Sequence, residues 1–307
     1  MRFIFRIKDH YYRHYVAINK KFKFENRKKD YEKLCIVIAG YKPFLYDIVF
    51  KRINTFLPKD IEVCIVSSGK YDEKLSNIAK DNGYSYISTN RNSVALAQNI
   101  VINAFPKAKY IYKLDEDIFI TKGYFETLMK TYRDCETKGE YNVGIVAPLI
   151  PINGYGHMKI LKRFNLLGYY EKHFEKPIYA AGRDRMIESN PDVAKFFWGN
   201  ENIVPSLDKM NEGLSHDEFS YEACPIRFSI GAILFERQFW KEMGMFKVDS
   251  GNGMGMDEEQ VCAQCINCSK AIIVSNNVVV GHLSFGVQNE PMKEYFLENQ
   301  EKFDIKE

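Results

Sequence analysis

The chain has 307 residues, of which 46% are apolar and 27% are charged, and this composition excludes a disordered, collagen-like or coiled-coil protein. No apolar run reaches the ~18 residues that a membrane-spanning helix needs, and the mean hydropathy is −0.34. The net charge of +3 is unevenly distributed, because residues 1–30 carry +7 and the remainder sums to −4.

Residues 1–30 mix these cations with aromatic side chains, as segments that contact anionic lipid do. A solvated leading helix packed on the body of the protein fits the same residues. The segment lacks the apolar stretch and cleavage site of a secretory signal, and seven cysteines are an odd number for a disulfide framework. We therefore expect a cytoplasmic protein with this arm as a candidate for peripheral contact with the cytoplasmic face of a membrane, and no nucleic-acid partner.

From Leu34 onward, short apolar runs alternate with segments whose apolar residues recur at helical spacing. The predicted strands are 34–40, 61–69, 84–89 and 108–117, and the predicted helices are 46–57, 72–83, 94–105 and 122–135. This alternation predicts a parallel sheet with crossover helices, in which ligands bind beyond the carboxyl ends of the strands.

The second half of the chain is less regular. Strands are predicted at 142–150, at the start of 226–244 and within 271–286, and helices at the end of 226–244 and at 257–269. Residues 151–225, between the strand 142–150 and the segment 226–244, show no clear period, which favours a functional insertion over a plain connection. Its aromatic and basic residues suit sugar rings or a lid, and equally a small core: Tyr155, Tyr169, Tyr170, His173, Arg183, Arg185 and Trp198.

Three acidic residues, Asp115, Glu116 and Asp117, directly follow the fourth predicted strand. The alternation of a strand end sends Asp115 and Asp117 to one side and Glu116 to the other. Two such carboxylates can bind Mg²⁺ or Mn²⁺, completed by water and substrate phosphate. A solvated acidic turn is the alternative, and the position at a strand's carboxyl end in an alternating sheet favours the metal site.

The order of elements, the strand end LDED, the later MDEEQ and the final GHLSFG resemble glycosyltransferases of the GT-A fold, closest to the broad family 2 type, over roughly residues 34–286. The resemblance implies an α/β GT-A fold with a mostly parallel central sheet flanked by helices and an inserted acceptor or lid region. It further implies a single catalytic domain, 33–307, after a basic aromatic arm, 1–32. Within that domain it implies a nucleotide-binding half, 34–120, and an acceptor-binding half, 121–290.

The resemblance also implies roles for individual residues. The family's Asp-x-Asp motif binds the metal that bridges the diphosphate of a nucleotide-sugar, which implies Asp115 and Asp117 here, with His282 as a further ligand. A neutral imidazole suits that role, and a structural histidine is the alternative. The donor nucleotide is expected to contact the strand ends at Ala39, Gly40, Tyr41, Ser68, Asp72, Asn92, Asp115 and Glu116.

In the same family an acidic pair provides the general base, and here Met256 and Asp257 occupy that place. Asp257 is the predicted base and Glu258 the reserve. Asp257 with Gln260 also fits a helix capping box, a structural alternative. The acidic residues that usually read the nucleobase after the second strand are replaced by Ser67–Lys70, with Asp72 as a substitute.

The implied function is that of a metal-dependent, inverting glycosyltransferase that uses Mn²⁺ or Mg²⁺. It would move a sugar from a nucleotide-diphospho-sugar, with a UDP-sugar favoured, to a hydroxyl of a glycan or lipid-linked acceptor in cell-surface polysaccharide synthesis. A sugar nucleotidyltransferase is one alternative, although its glycine-rich basic loop is missing from AGYKPF, 39–44. A non-catalytic carbohydrate-binding or membrane-associated scaffold is the other, and it would bind glycans but neither metal nor nucleotide.

Overall fold

The computed structural model describes Ile7, 21–182, 184–200, 203–248 and 256–306. Its strands are β1 Phe22–Glu25, β2 Lys33–Ile38, β3 Ile61–Ser67, β4 Ser85–Thr89, β5 Tyr110–Asp115, β6 Ile118–Phe119, β7 Val143–Leu149, β8 Tyr221–Ala223, β9 Ala232–Glu236, β10 Ala271–Val279 and β11 Gly281–His282. Its helices are α1 Tyr46–Phe56, α2 Glu73–Asp81, α3 Val94–Ala104, α4 Tyr124–Lys138, α5 Gly156–Arg163, α6 Leu167–His173, α7 Met186–Ser189, α8 Pro191–Phe196, α9 Leu207–Ser215, α10 Arg237–Glu242, α11 Met256–Asn267 and α12 Asn289–Glu298.

The predicted α/β class, with a mostly parallel central sheet flanked by helices, is confirmed. The chain forms two compact units. The first contains the described residues up to Pro43, Pro58–Glu116 and Leu234–Lys270, and the second contains Phe44–Leu57, Asp117–Ile233 and the described residues from Ala271. The chain passes from the second unit to the first within β9.

In the first unit the strand order is β1-β4-β3-β2-β5, and β2 pairs in parallel with both β3 and β5. Strands β2 and β3 are buried on both faces, which explains why their sequences are nearly continuous apolar runs rather than alternating ones. Because β2, β3, β4 and β5 run in the same direction, their carboxyl ends meet at one edge of the sheet.

Strand β1 lies inside the predicted N-terminal arm and pairs antiparallel with β4, from Phe22 opposite Thr89. Its FKFE sequence alternates apolar and charged residues, and the Phe24 ring contacts the Phe105 ring at 6.0 Å. A strand of four residues in a basic stretch gives little periodic signal, so it was not predicted. The predicted leading helix and membrane contact of residues 1–20 lie outside the described residues, Ile7 excepted.

In the second unit β7 and β10 are parallel, β8 is antiparallel to β10, and β6 pairs with β11. The described part of the insertion 151–225 forms the short helices α5 to α9 and strand β8. Helices of four to nine residues show too few turns for a period to be recognised in the sequence. None of the helices that the structure describes is both long enough and apolar enough to cross a membrane.

Arg52 on α1 is fully buried and holds the C-terminal segment of the second unit. Its guanidinium makes two hydrogen bonds to the Asp208 carboxylate, at 2.9 and 2.8 Å. It also donates to the backbone oxygens of Phe303, Asp304 and Ile120, at 2.9 to 3.1 Å. Five donated bonds satisfy this buried cation and connect four separate segments of the unit.

Arg52→Met should lower the free energy of unfolding by about 3 to 5 kcal/mol, because it leaves a carboxylate and three carbonyls without their buried donor. Urea denaturation would measure the loss. Lys51→Met is the control, since Lys51 pairs with Asp304 at the surface and exposed pairs contribute about 1 kcal/mol or less. Equal losses for the two variants would contradict a stabilising role for the Arg52 network.

Candidate functional site

The turn after β2 is held by Glu116, the middle residue of the acidic run 115–117. Ala39 is buried and its N–H donates to the Val66 oxygen at 2.9 Å. The next two amides, of Gly40 and Tyr41, converge on the Glu116 carboxylate at 2.8 and 3.1 Å. Gly40 has φ +139°, a conformation that L side chains rarely adopt, so the turn requires glycine. The structure therefore brings four of the predicted nucleotide-contacting residues together.

Tyr41 extends this cluster to the end of β3. Its hydroxyl donates to the Ser68 backbone oxygen at 2.7 Å, and 55% of the residue is exposed. The Ser68 hydroxyl accepts the Ser93 N–H at 2.6 Å, which ties the loop to the start of α3. The Lys70 ammonium lies 4.7 Å from the centre of the Tyr41 ring. An aromatic ring and a cation are thus presented at the edge where the strands end.

Asn92 packs directly against Gly69, since a Cβ on Gly69 would lie 2.6 Å from the Asn92 Cβ. Asn92 therefore belongs to the same loop cluster. Asp72 serves the helix instead: it is the N-cap of α2 and accepts the Leu75 N–H at 3.1 Å. That N-cap bond is a sufficient reason for an aspartate at position 72. A contact of Asp72 with the nucleobase stays a prediction.

Asp115 ends β5 and forms an ion pair with Lys113, whose Nζ lies 2.7 Å from Asp115 Oδ1. Lys113 is only 2% exposed. Sequence reasoning missed this residue. The signal was available, because Lys113 interrupts the apolar run YIYKL and lies two positions before Asp115, which places both on the same strand face.

In the second unit, Asp117 and His282 form a buried pair. Strand β6 places Ile118 opposite His282, and the Leu283 N–H donates to the Asp117 backbone oxygen at 3.1 Å. Asp117 Oδ2 and His282 Nε2 lie 3.4 Å apart, with both side chains less than 10% exposed. His282 Nδ1 is buried with no hydrogen-bond partner among the described residues, and the Phe285 ring packs edge-on at 4.3 Å.

This pair fits one side of a divalent-metal site. Carboxylate oxygen and neutral imidazole are suitable ligands, and Mg²⁺ or Mn²⁺ usually takes its remaining positions from water and substrate phosphate. The ring nitrogen that faces Asp117 is Nε2, so Nε2 is the atom that would share a cation with this carboxylate. Among the residues that the structure describes, no three His, Cys, Asp or Glu side chains form a metal-binding group, so Asp115 as a ligand rests on the sequence motif.

Glu188 and Arg227 are two further charged residues of the second unit that sequence reasoning missed. The Glu188 carboxylate accepts a hydrogen bond from the Arg227 guanidinium at 3.0 Å. Burial raises the pKa of the Glu188 carboxyl, and the Arg227 charge, the Gly182 N–H and the His282 ring oppose that rise. A partly buried acid therefore lies in the same unit as the pair of Asp117 and His282.

Trp198 borders the backbone beside His282. It is 3% exposed, and a Cβ on Gly281 would lie 2.3 Å from its ring, so the indole packs directly on the glycine. A shallow surface depression lies here, lined by Trp198, Pro151 and His282 among others. The close approach of ring and backbone explains a glycine immediately before the histidine.

Most of the aromatic residues noted in the insertion form its small core. Trp198, Tyr155 and Tyr170 are all less than 5% exposed. The rings of Tyr169 and His173 stack at 4.0 Å, with Tyr169 half-buried and His173 exposed. A core role is therefore supported for the three buried rings.

Arg183 and Arg185, the two arginines of the insertion that the sequence analysis singled out, have different outcomes. Arg185 pairs with Glu175 at 3.1 Å, with both side chains about three-quarters buried. Arg183 lies outside the described residues.

Asp257 lies in the first turn of α11, in the first unit, and its Oδ2 accepts a hydrogen bond from Gln98 Nε2 at 3.0 Å. Glu258 is the next residue of the same turn and is half-buried. A carboxylate in the first helical turn is stabilised by the free amides and the helix dipole. The glycine-rich residues 251–255 that precede this turn lie outside the described residues.

The capping box expected for Asp257 and Gln260 does not form. The described part of α11 begins at Met256, so Asp257 is inside the helix. The Gln260 side chain instead donates to the Met245 backbone oxygen at 2.8 Å and accepts the Lys247 N–H at 2.6 Å. These bonds fasten residues 245–247 to α11. The Asp257 carboxylate is hydrogen-bonded to the Gln98 amide instead.

No family model matches the chain, and no curated protein matches it. Among solved structures it is similar to the crystal structure of GalNAc-T7 with UDP, GalNAc and Mn²⁺, at 13% identity and a TM-score of 0.48, over 88% of this chain and 48% of that one. It is also similar to the mannosyltransferase PcManGT from Pyrobaculum calidifontis in complex with GDP-Man and Mn²⁺, at 14% identity and a TM-score of 0.47, over 91% of this chain and 64% of that one.

The chain thus spans about half the length of the first structure and less than two thirds of the second. Identities this low concern the fold alone, and TM-scores below 0.5 transfer no activity or residue role to this chain.

Proposed function

We propose that the protein is a metal-dependent glycosyltransferase that moves a sugar from a nucleotide-diphospho-sugar to a hydroxyl group of an acceptor. The observation that carries this proposal is the buried pair of Asp117 and His282. Asp117 lies just after the last residue of β5 in the chain. Asp117 Oδ2 and His282 Nε2 lie 3.4 Å apart and are buried together, and a carboxylate oxygen and an imidazole nitrogen suit a divalent cation better than they suit an apolar core.

In this proposal Asp117 and His282 hold Mn²⁺ or Mg²⁺, and Asp115 stays a predicted ligand from the motif. The chemistry that such an ion supplies is neutralisation of the charge that develops on the departing diphosphate.

The loop cluster of the first unit is the proposed nucleotide site. Gly40 and Tyr41 are fixed by Glu116, so the position of the exposed Tyr41 ring is set by two backbone hydrogen bonds and its own bond to Ser68. Lys70 beside that ring adds a positive charge that favours an anionic donor. A turn already fixed before binding loses little conformational entropy when a ligand arrives.

Asp257 is the proposed general base, with Glu258 in reserve. Its carboxylate takes the proton of the acceptor hydroxyl while the hydroxyl oxygen forms a bond to the anomeric carbon and the bond from that carbon to the diphosphate breaks. Direct attack from the opposite face inverts the anomeric configuration. The finer elements of the proposal are this inversion, a UDP-sugar donor and a glycan or lipid-linked acceptor in cell-surface polysaccharide synthesis.

The cytoplasmic location and the membrane contact of the arm rest on the sequence alone. Because β1 pairs with β4, a truncation that tests the arm should remove residues 1–20 and keep Phe22–Glu25.

A donor screen tests the proposal. UDP-sugars and GDP-sugars would be incubated with the full chain, with Mn²⁺ or with a chelator, and the released nucleotide identified. We expect a nucleoside diphosphate to be released from one donor class, and only with the divalent ion. Consumption of no donor would contradict the proposal, and formation of pyrophosphate from a nucleoside triphosphate and a sugar phosphate would indicate a nucleotidyltransferase.

A further inference from the structure

Gln98 is a buried side-chain amide in a mostly apolar helix. It lies on α3, whose sequence is VALAQNIVINA, and it is only 1% exposed. An apolar residue of the same size would fill this position without the cost of burying a polar group. The presence of glutamine therefore calls for a partner or a function that requires the amide.

Among the residues that the structure describes, only one side of the Gln98 amide has a hydrogen-bond partner. Nε2 donates to Asp257 Oδ2 at 3.0 Å, whereas Oε1 is buried with no partner among the described residues. A buried acceptor without a donor destabilises the folded state. A residue retained for stability alone would not be expected to leave such an atom unsatisfied.

The neighbouring residue shows what a structural amide looks like in this helix. Asn99 accepts the Trp240 indole N–H at 2.9 Å and the Phe246 N–H at 3.0 Å, and it donates to the Phe246 oxygen at 2.8 Å. These bonds fasten α10 and the segment that follows it to α3. Gln98 adds no such link, because its one bond is to the carboxylate of Asp257.

We propose that Gln98 is a positioning residue for Asp257, a proposal that rests on the function proposed above. The amide donates to Oδ2 and so fixes the rotation of the carboxyl group, which sets the direction in which Oδ1 faces. Proton transfer from an acceptor hydroxyl depends on that direction, since a small misplacement of a reacting group costs a large part of the rate.

The test compares Gln98→Met with wild type in the full chain. Methionine fills a similar volume and removes the donor. We expect kcat to fall about 10- to 100-fold, the KM for the donor to change less than about twofold, and the melting temperature to stay the same or rise because the unsatisfied Oε1 is gone. In the Asp257→Asn background the same substitution should have no further effect on kcat.

Gln238→Leu is the matched control, because Gln238 makes the same kind of amide-to-carboxylate bond, to Glu242 at 3.1 Å, on the surface of the same unit. Gln98→Leu provides a second substitution should Gln98→Met fold poorly. An unchanged kcat of the folded variants, or an effect that adds to that of Asp257→Asn, would overturn the proposal.

A crystal structure of Gln98→Met separates this proposal from the proposed function, because it needs no activity. We expect the Asp257 carboxylate to rotate or to occupy several positions, and an unchanged carboxylate would overturn the positioning role. If wild-type protein transfers no sugar while the carboxylate moves as expected, the proposed function fails and the geometric link between Gln98 and Asp257 stands.

Discussion

Asp117→Asn is expected to weaken Mn²⁺-dependent nucleotide binding by more than about 100-fold and to lower sugar transfer at least as much. Loss of a side chain that merely orients a metal ligand typically costs about 10- to 100-fold in metal affinity, and a ligand itself should cost more. Asparagine keeps the shape of the buried side chain and removes its charge. Calorimetric titration with Mn²⁺ and nucleotide would measure the binding.

The control for this variant is Asp217→Asn. Asp217 is a more exposed carboxylate of the same unit that pairs with Arg163, so its loss changes charge by the same amount away from His282. We expect its binding and activity to match wild type. If Asp117→Asn also binds nucleotide as wild type does, the pair of Asp117 and His282 is structural and the proposed metal site is wrong.

Asp257→Asn is expected to lower kcat by about 10²- to 10⁴-fold while metal and nucleotide binding stay unchanged, because a general base contributes in this range and acts only in the chemical step. The amide has the size of the carboxylate and can still contact Gln98, so the folded structure should persist. Rapid-quench measurement of a single turnover would separate the chemical step from product release.

Glu259→Gln and Glu258→Gln complete this experiment. Glu259 is exposed in the same helical turn and should have no effect. A loss confined to Glu258→Gln would assign the base to the reserve residue. Full activity of all three variants would contradict proton abstraction from this helix.

The parallel strands could be predicted because each is an apolar run closed by small or polar residues, as LCIVIAG and IEVCIVSSG show. Burial on both faces makes such runs continuous, and the intervening helices carry a 3.6-residue period. Strand β1 and helices α5 to α9 could not be predicted in the same way, because each is too short to show a period in the sequence.

The candidate site was predictable only in part. The acidic residues at the end of β5 were evident from their position in the alternating pattern, whereas the pairing of Asp117 with His282 joins residues 165 positions apart and was implied only by a family resemblance. Glu188 and Gln98 have partners that are distant in sequence, so their roles could not be predicted from it. Lys113 lies two positions before Asp115 on the same strand, so that pair was visible in the sequence.

Calorimetric titration of the full chain with UDP, with and without Mn²⁺, tests the central claim most directly, because it examines the nucleotide site and the metal site together. The account predicts micromolar binding that requires Mn²⁺. A GDP titration beside it would show whether a different base is preferred. Absence of binding by either nucleotide in the presence of Mn²⁺, or binding of equal strength without the metal, would contradict a metal-dependent glycosyltransferase.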